Sequence, residues 1–240
     1  MKGIQRLLAL TAISCFSVAA QAGWEGNWLI GLSGGYEHRS GAFTFYTLDI
    51  PTSVPLTSQV RSVDDNGFIW GVLGGYQVRC NGWLLGLELN IDWHDHDGAD
   101  GFAFTDSLDV AYSGTAHYHR ETNVGVTGRF GHLITKSILA YVRLGAETSE
   151  DEIHISMFSP VPPINVVDHD SRRQYRFVGG VGAEMPIFFE NLTVRVEYNY
   201  HSRGKNVEVV AVGSDNATLL IADAHPHTNS GRASLVWNFL

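Results

Sequence analysis

Trp83-Leu84-Leu85-Gly86-Leu87-Glu88-Leu89-Asn90-Ile91-Asp92-Trp93-His94 is the stretch that decides how this chain folds. One parity reads Trp83, Leu85, Leu87, Leu89, Ile91, Trp93. The other reads Leu84, Gly86, Glu88, Asn90, Asp92, His94. A β-strand sends successive side chains to opposite faces, so the segment is a ribbon with one apolar and one polar side. In a soluble sandwich the apolar side faces a core. In a membrane barrel it faces lipid, and the polar side lines the lumen.

Seven further segments alternate in the same way, and their spacing separates the two architectures. Strands are expected near 28–38, 68–80, 83–95, 116–132, 138–149, 172–185, 192–203 and 228–240. The spacers 39–67, 96–115, 150–171 and 204–227 are long, whereas 81–82, 133–137 and 186–191 are short. A sandwich does not need long and short connections in turn. An antiparallel barrel with both termini on the short-turn side does. The expected fold is therefore all-β: an eight-stranded antiparallel transmembrane β-barrel with four long extracellular loops and short periplasmic turns. Asn81-Gly82 reads as a tight hairpin turn.

The N-terminus supports export. Lys2 and Arg6 precede the apolar stretch Leu7–Ala20, and Ala20-Gln21-Ala22 fits a small-x-small cleavage site. Residues 1–22 are expected to be a signal peptide and 23–240 the barrel domain. The apolar stretch is shorter than the ~20 residues a spanning helix needs. Cleavage would leave Cys80 as the single cysteine, so no intramolecular disulfide is available. The formal charge is −9, and losing Lys2 and Arg6 makes the chain still more acidic, which argues against a nucleic-acid partner.

The inward parity carries charge of both signs. Its expected lumen network is Arg79, Glu88, Asp92, Glu121, Arg129, Arg143, Glu147, Arg176, Glu184, Arg195, Glu197 and Arg232, with Glu37 and Arg203 at strand ends facing water. An eight-stranded lumen is only wide enough to be filled by side chains, and unpaired buried charge is costly. Near-equal numbers of acids and arginines therefore point to a salt-bridged interior instead of an open channel.

Signal peptide, eight amphipathic strands, Gly31, Gly34, Gly35, Gly71, Gly74 and Gly75 on early strands, and the finish Leu235-Val236-Trp237-Asn238-Phe239-Leu240 resemble the OmpA-like and opacity-type outer-membrane barrels. The resemblance implies localisation in the outer membrane of a Gram-negative cell and contact with its lipid and lipopolysaccharide. It also implies that Leu235, Trp237 and Phe239 carry the signal read by the barrel-assembly machinery. Leu240 after Phe239 departs from that pattern by one residue. A monomer is expected, without cofactor or resident metal.

Three functions follow as expectations. The first is a non-enzymatic surface protein whose charge-plugged barrel anchors loops for envelope integrity or adhesion to a host or matrix ligand. The second is a small porin. The third is a lipid A-modifying barrel enzyme, which the resemblance raises through Tyr200-His201-Ser202. Adjacent residues on a strand point to opposite faces, so that serine is badly placed for that base. His94 and His96, with His117 and His119 across one loop, share an inward parity and are the residues to examine for a transition metal. Apolar residues in 39–67 and 150–171 read as recognition surfaces or, with more weight, as hairpins that continue above the membrane and cover each other.

Overall fold

The computed structural model describes residues 25–51, 54–95, 99–106, 109–160, 163–204, 207–214, 218–224 and 226–239. The expected signal peptide, His96 and Leu240 lie outside the described residues. Twelve strands follow in chain order: β1 (Glu25–Asp49), β2 (Val54–Cys80), β3 (Trp83–Asp95), β4 (Ala99–Thr105), β5 (Ala111–Arg120), β6 (Asn123–Leu133), β7 (Leu139–Pro160), β8 (Pro163–Ile187), β9 (Phe189–His201), β10 (Val207–Val212), β11 (Thr218–Ala224) and β12 (His227–Phe239).

Eight of them form an antiparallel ring, β1-β2-β3-β6-β7-β8-β9-β12, with β12 paired back onto β1. Alternation decides which way each side chain points. Leu85, Leu87 and Leu89 of β3, Val196 and Tyr198 of β9, and Leu235, Trp237 and Phe239 of β12 are exposed on the outside. Leu84, Glu88, Asn90 and Asp92 of β3 are buried inside. Aromatic rings gather at both ends of the apolar band. Trp70 stacks on Trp93 at 4.4 Å at the outer end, where Tyr36, Phe68, Tyr175 and Tyr200 are exposed on other parts of the ring. Trp83 stacks on Phe130 at 5.1 Å at the periplasmic end. Rings with one polar edge suit the headgroup zone. The belts bound membrane-spanning segments near 28–36, 68–78, 83–93, 124–132, 139–148, 175–185, 192–200 and 231–239.

The β2–β3 turn is the expected Asn-Gly pair, with φ of 49° at Asn81 and 83° at Gly82. Both values lie in the left-handed region that a two-residue hairpin turn requires. The turn between β8 and β9 instead places Phe188 at φ 57°, a strained choice for a bulky side chain.

Two expectations are corrected. The four spacers read as long loops are mostly strand: β1 runs to Asp49 and β2 starts at Val54, β7 and β8 meet at Pro160 and Pro163, and 96–115 and 204–227 hold the hairpins β4–β5 and β10–β11. β5 pairs with β7, and β11 pairs with β1. Together they bury Phe45, Phe102, Tyr112, Ile153, Met157 and Leu220 in one extracellular core, with the Phe45 and Phe102 rings 4.5 Å apart. The apolar residues of these segments therefore cover each other, as the more heavily weighted alternative held.

The expected single strand 116–132 is two strands, β5 and β6, separated by exposed Glu121 and Thr122. Below the break Asn123, Thr127 and Arg129 face inward. Above it Ala116, Tyr118 and Arg120 do. The two-residue step exchanges odd for even parity, while the Glu121 N–H donates to the Glu150 carbonyl at 2.9 Å.

Leu89→Lys places a charge on the lipid face near mid-span and should cost about 2–4 kcal/mol on unfolding from lipid vesicles. Val60→Lys, on the outward face of β2 above the aromatic belt, should change stability by no more than about 0.5 kcal/mol. Equal costs would contradict this placement of the bilayer.

Candidate functional site

The lumen is built from short inward rows on all eight ring strands. Room for its long side chains comes from glycine on the neighbouring strand. A Cβ at Gly71 would overlap the Asp92 carboxylate, and one at Gly75 would press on the backbone of β3 beside Glu88. This explains part of the glycine content of β2.

At mid-lumen two arginines and two glutamates close a ring. Arg129 reaches Glu88 at 2.9 Å and Glu184 at 2.8 Å. Arg195 reaches Glu88 at 2.7 Å and Glu184 at 2.8 Å. β3 and β9 stand opposite each other in the eight-strand ring, so Arg195–Glu88 spans the full interior. Arg79 of β2 reaches Glu184 of β8 at 3.0 Å, again between opposite strands, with its own side chain open at the periplasmic mouth. Arg143 pairs with Glu197 at 3.0 Å, and Tyr141 donates to the same carboxylate at 2.6 Å while its ring lies 3.9 Å from the Arg129 guanidinium. Arg232 holds Asp92 at 2.7 Å. The planar guanidinium fork suits such sharing, because one arginine donates to two carboxylates at once.

Nearer the outer end, Glu147 accepts from Asn123 at 2.7 Å and from His201 Nδ1 at 2.9 Å, and His201 Nε2 lies 3.2 Å from Ser230 Oγ. Ser202 points the other way and receives the Phe177 N–H at 2.9 Å. An imidazole between a carboxylate and a hydroxyl has the order of a nucleophile–base–orienter set. Ser230 is 1% exposed, however, so no bulky acyl group reaches its oxygen in this arrangement.

The outermost cluster lies just above the membrane-spanning segments. Glu37 takes His94 Nδ1 at 3.1 Å and Arg39 at 3.4 Å. Arg120 stands between Glu37 at 4.0 Å and Asp151 at 3.8 Å. Asp151 also binds Arg176 and the Tyr118 hydroxyl, and Ser149 donates to it at 2.7 Å.

The structure regroups the sequence-derived residues. Arg79, Glu88, Asp92, Arg129, Arg143, Glu147, Arg176, Glu184, Arg195, Glu197 and Arg232 enter these contacts. Glu121 does not: it sits exposed at the break between β5 and β6. Glu37, expected at water, is wholly buried, whereas Arg203 is exposed as expected. Arg39, Arg120 and Asp151 were missed. Arg39 and Asp151 lie in stretches read as loops, and Arg120 has the parity that the break reverses. Inward apolar residues other than Leu84 were missed too. Leu29, Leu73 and Val236 form one cluster, and Leu84, Leu139 and Tyr141 another. Beside the first, Gln77 donates to Asn238 at 2.9 Å and Asn27 at 3.3 Å. Leu29 and Leu73 on the inward parity of β1 and β2 were the available signal.

Of the four histidines considered together for a metal, His96 lies outside the described residues and the other three are dispersed. His94 turns inward to Glu37, whereas His117 and His119 face outward because of the same break.

Burial alone would raise the Asp151 carboxyl, but the charges of Arg120 and Arg176 and the hydrogen bonds from Arg176 and Tyr118 hold it below its ordinary value. Burial likewise opposes the charged form of Glu37, yet the His94 hydrogen bond and charge, with Arg120 and Arg39, hold it well below the carboxylate range. Burial lowers His94, and the Glu37 contact only partly offsets this, with Arg120 and Arg39 adding to the fall. A carboxyl depressed on folding adds stability above its unfolded value, about 4, and loses it as pH falls through the folded value. An imidazole depressed on folding adds stability above about 6.5 and loses it below. Both act in one direction. Amide exchange in 36–40 and 118–121 should accelerate in two steps on acidification, below about pH 6.5 and below about pH 4. His94→Gln should remove the upper step and leave a lower one, which Asp151 still carries. An unchanged two-step profile in that variant would refute the assignment.

No curated protein sequence matches the chain. Among solved structures, Ail, the attachment invasion locus protein of Yersinia pestis, is 14% identical, covering 85% of this chain and 97% of its own at a TM-score of 0.33. Neisserial surface protein A is 10% identical, covering 86% of this chain and 99% of its own at a TM-score of 0.37. The outer membrane protein beta-barrel domain family matches residues 8–239, so the eight-strand ring with its lipid-facing band is that of a member, and the chain belongs to this family of outer-membrane barrels.

Proposed function

We propose that this protein is a non-enzymatic surface protein: a barrel plugged by its own side chains that anchors a β-structured extracellular part for surface contact and envelope integrity. The observation that carries the reading is the pair of ion pairs between opposite walls, Arg195–Glu88 and Arg79–Glu184. Side chains that meet across the lumen leave it no continuous water column, and the Leu29–Leu73–Val236 cluster adds an apolar obstruction.

The extracellular part supports the anchoring role. Its buried core fixes the four hairpins relative to one another, while Tyr46, Phe158, Val167, Val210 and Val212 remain exposed on their outer surface. Exposed apolar side chains on a rigid support are what a recognition surface needs. Under this reading residues 1–22 direct export, and Leu235, Trp237 and Phe239 present the assembly signal on the lipid face of β12. The protein then acts as a monomer held by outer-membrane lipid and lipopolysaccharide, with a host or matrix molecule as partner.

One observation keeps an enzyme as the second reading: the Ser230–His201–Glu147 alignment. It requires the lumen to open toward the outer leaflet. Lipid A acyl chains altered by the intact protein but not by His201→Ala would establish it and displace the proposal.

Planar-bilayer recording tests the plug. The intact protein should give no large, steady single-channel steps. Glu184→Ala leaves Arg129 and Arg195 short of one buried partner each, a loss of about 3–5 kcal/mol, and should produce frequent openings. Steady conductance from the intact protein would make it a porin. Cells expressing Phe158→Ser with Val167→Ser should adhere less to matrix-coated surfaces while the protein keeps its heat-dependent gel shift. Unchanged adhesion would remove the surface-contact role.

A further inference from the structure

The parity break that turns His117 and His119 away from the lumen gives them new neighbours. Both are exposed on β5, two residues apart and so on one face. The β5–β7 register sets His117 opposite His154 and His119 opposite Glu152. All four lie above the membrane-spanning segments, on the outside of the sheet. Directly opposite residues have Cβ atoms about 4.5–5.5 Å apart, and residues i and i+2 are roughly 7 Å apart along a strand. An L of three imidazoles at these spacings can close on one ion with Zn–N bonds of about 2.0–2.1 Å.

We propose that His117, His119 and His154 form a surface site for a first-row transition dication of the Zn2+ class. Glu152 stands beside these histidines, opposite His119. His154 Nε2 makes a 2.9 Å ion-pair contact with the Glu152 Oε1, so an ion would take the other ring nitrogen, Nδ1. A carboxylate beside the ring nitrogen that the metal does not take is the usual support of a metal-binding histidine. His169 of β8 lies opposite His154, and the two rings stack at 5.4 Å with 14° between planes. It is not a ligand in this arrangement. His117 and His169 are two interstrand spacings apart, roughly 9.6 Å, and they straddle the His154 ring. Among the described residues no three His, Cys, Asp or Glu groups already stand as a metal site. Binding therefore turns the exposed imidazoles of His117 and His119 about χ1 and χ2 toward His154, whose own side chain is half-exposed. Three imidazoles leave the fourth tetrahedral position to water.

The test uses the full mature chain refolded in detergent, without a histidine tag, titrated with Zn2+ by calorimetry. One saturable Zn2+ per chain is expected. His117→Ala, His119→Ala and His154→Ala should each weaken binding by about tenfold or more, and Glu152→Gln by about 10–100-fold, the range for a supporting carboxylate. His169→Ala and the distant His38→Ala should stay within about twofold of the parent. The heat-dependent gel shift checks that each variant is folded, and Cu2+ bound to the parent should show three coupled nitrogens in its electron paramagnetic resonance spectrum. No saturable uptake by the parent, undiminished uptake in both His117→Ala and His154→Ala, or a loss in His169→Ala without one in His119→Ala would overturn the site.

Discussion

A peptide group in hydrocarbon has no water to bond, so every backbone donor and acceptor that crosses the membrane must find a partner in the protein. For strands the only arrangement that meets this demand is a sheet whose last strand pairs with its first. Here that closing contact is β12 on β1, from Trp28 opposite Phe239 to Ser40 opposite His227. The rest follows from it. Eight strands enclose a lumen of a width that long side chains can fill. Alternation then sends every second residue into that space, where an acid without an arginine would be costly.

The interior meets this by sharing. Glu184 accepts from Arg79, Arg129 and Arg195, which come from three other strands, and Glu88 accepts from two of the same arginines. Each carboxylate thereby fixes the spacing of several walls at once. A buried pair is weak evidence for stability when compared with an apolar replacement. Its consequence here is geometric, because a strand slipped by one residue would turn its charges into lipid.

Above the membrane the constraint changes. Water can receive unpaired backbone groups, so the strands no longer need a complete ring. The outer hairpins divide instead into β10–β11 added to β1 and β4–β5 added to β7. What holds them is an ordinary apolar core around Phe45, Ile153 and Met157. The step at Glu121 and Thr122 marks the join between these regimes. It lets β6 keep charges inward at lumen height while β5 presents Tyr118 and Arg120 to the inside and its two histidines to the outside.

The amino-acid sequence alone determined the strand period, the apolar band, the turn at Asn81-Gly82 and most of the mid-lumen charge set, because each is a local pattern with a period of two. Tertiary structure alone decided which acid meets which arginine, since pairs such as Asp92 with Arg232 join residues far apart in the chain. It also decided the fate of the spacers. Their alternation, Ile153, Ile155 and Met157 against His154, Ser156 and Phe158, is as regular as that of the barrel, but strand-forming pattern outside a membrane is ambiguous until a partner strand is present. The two-residue step at Glu121 was illegible for the same reason: nothing in Arg120-Glu121-Thr122-Asn123 marks a change of face, which shows only against the shared partner β7, where Arg120 stands opposite Asp151 and Val124 opposite Thr148, so that four steps on one side match three on the other.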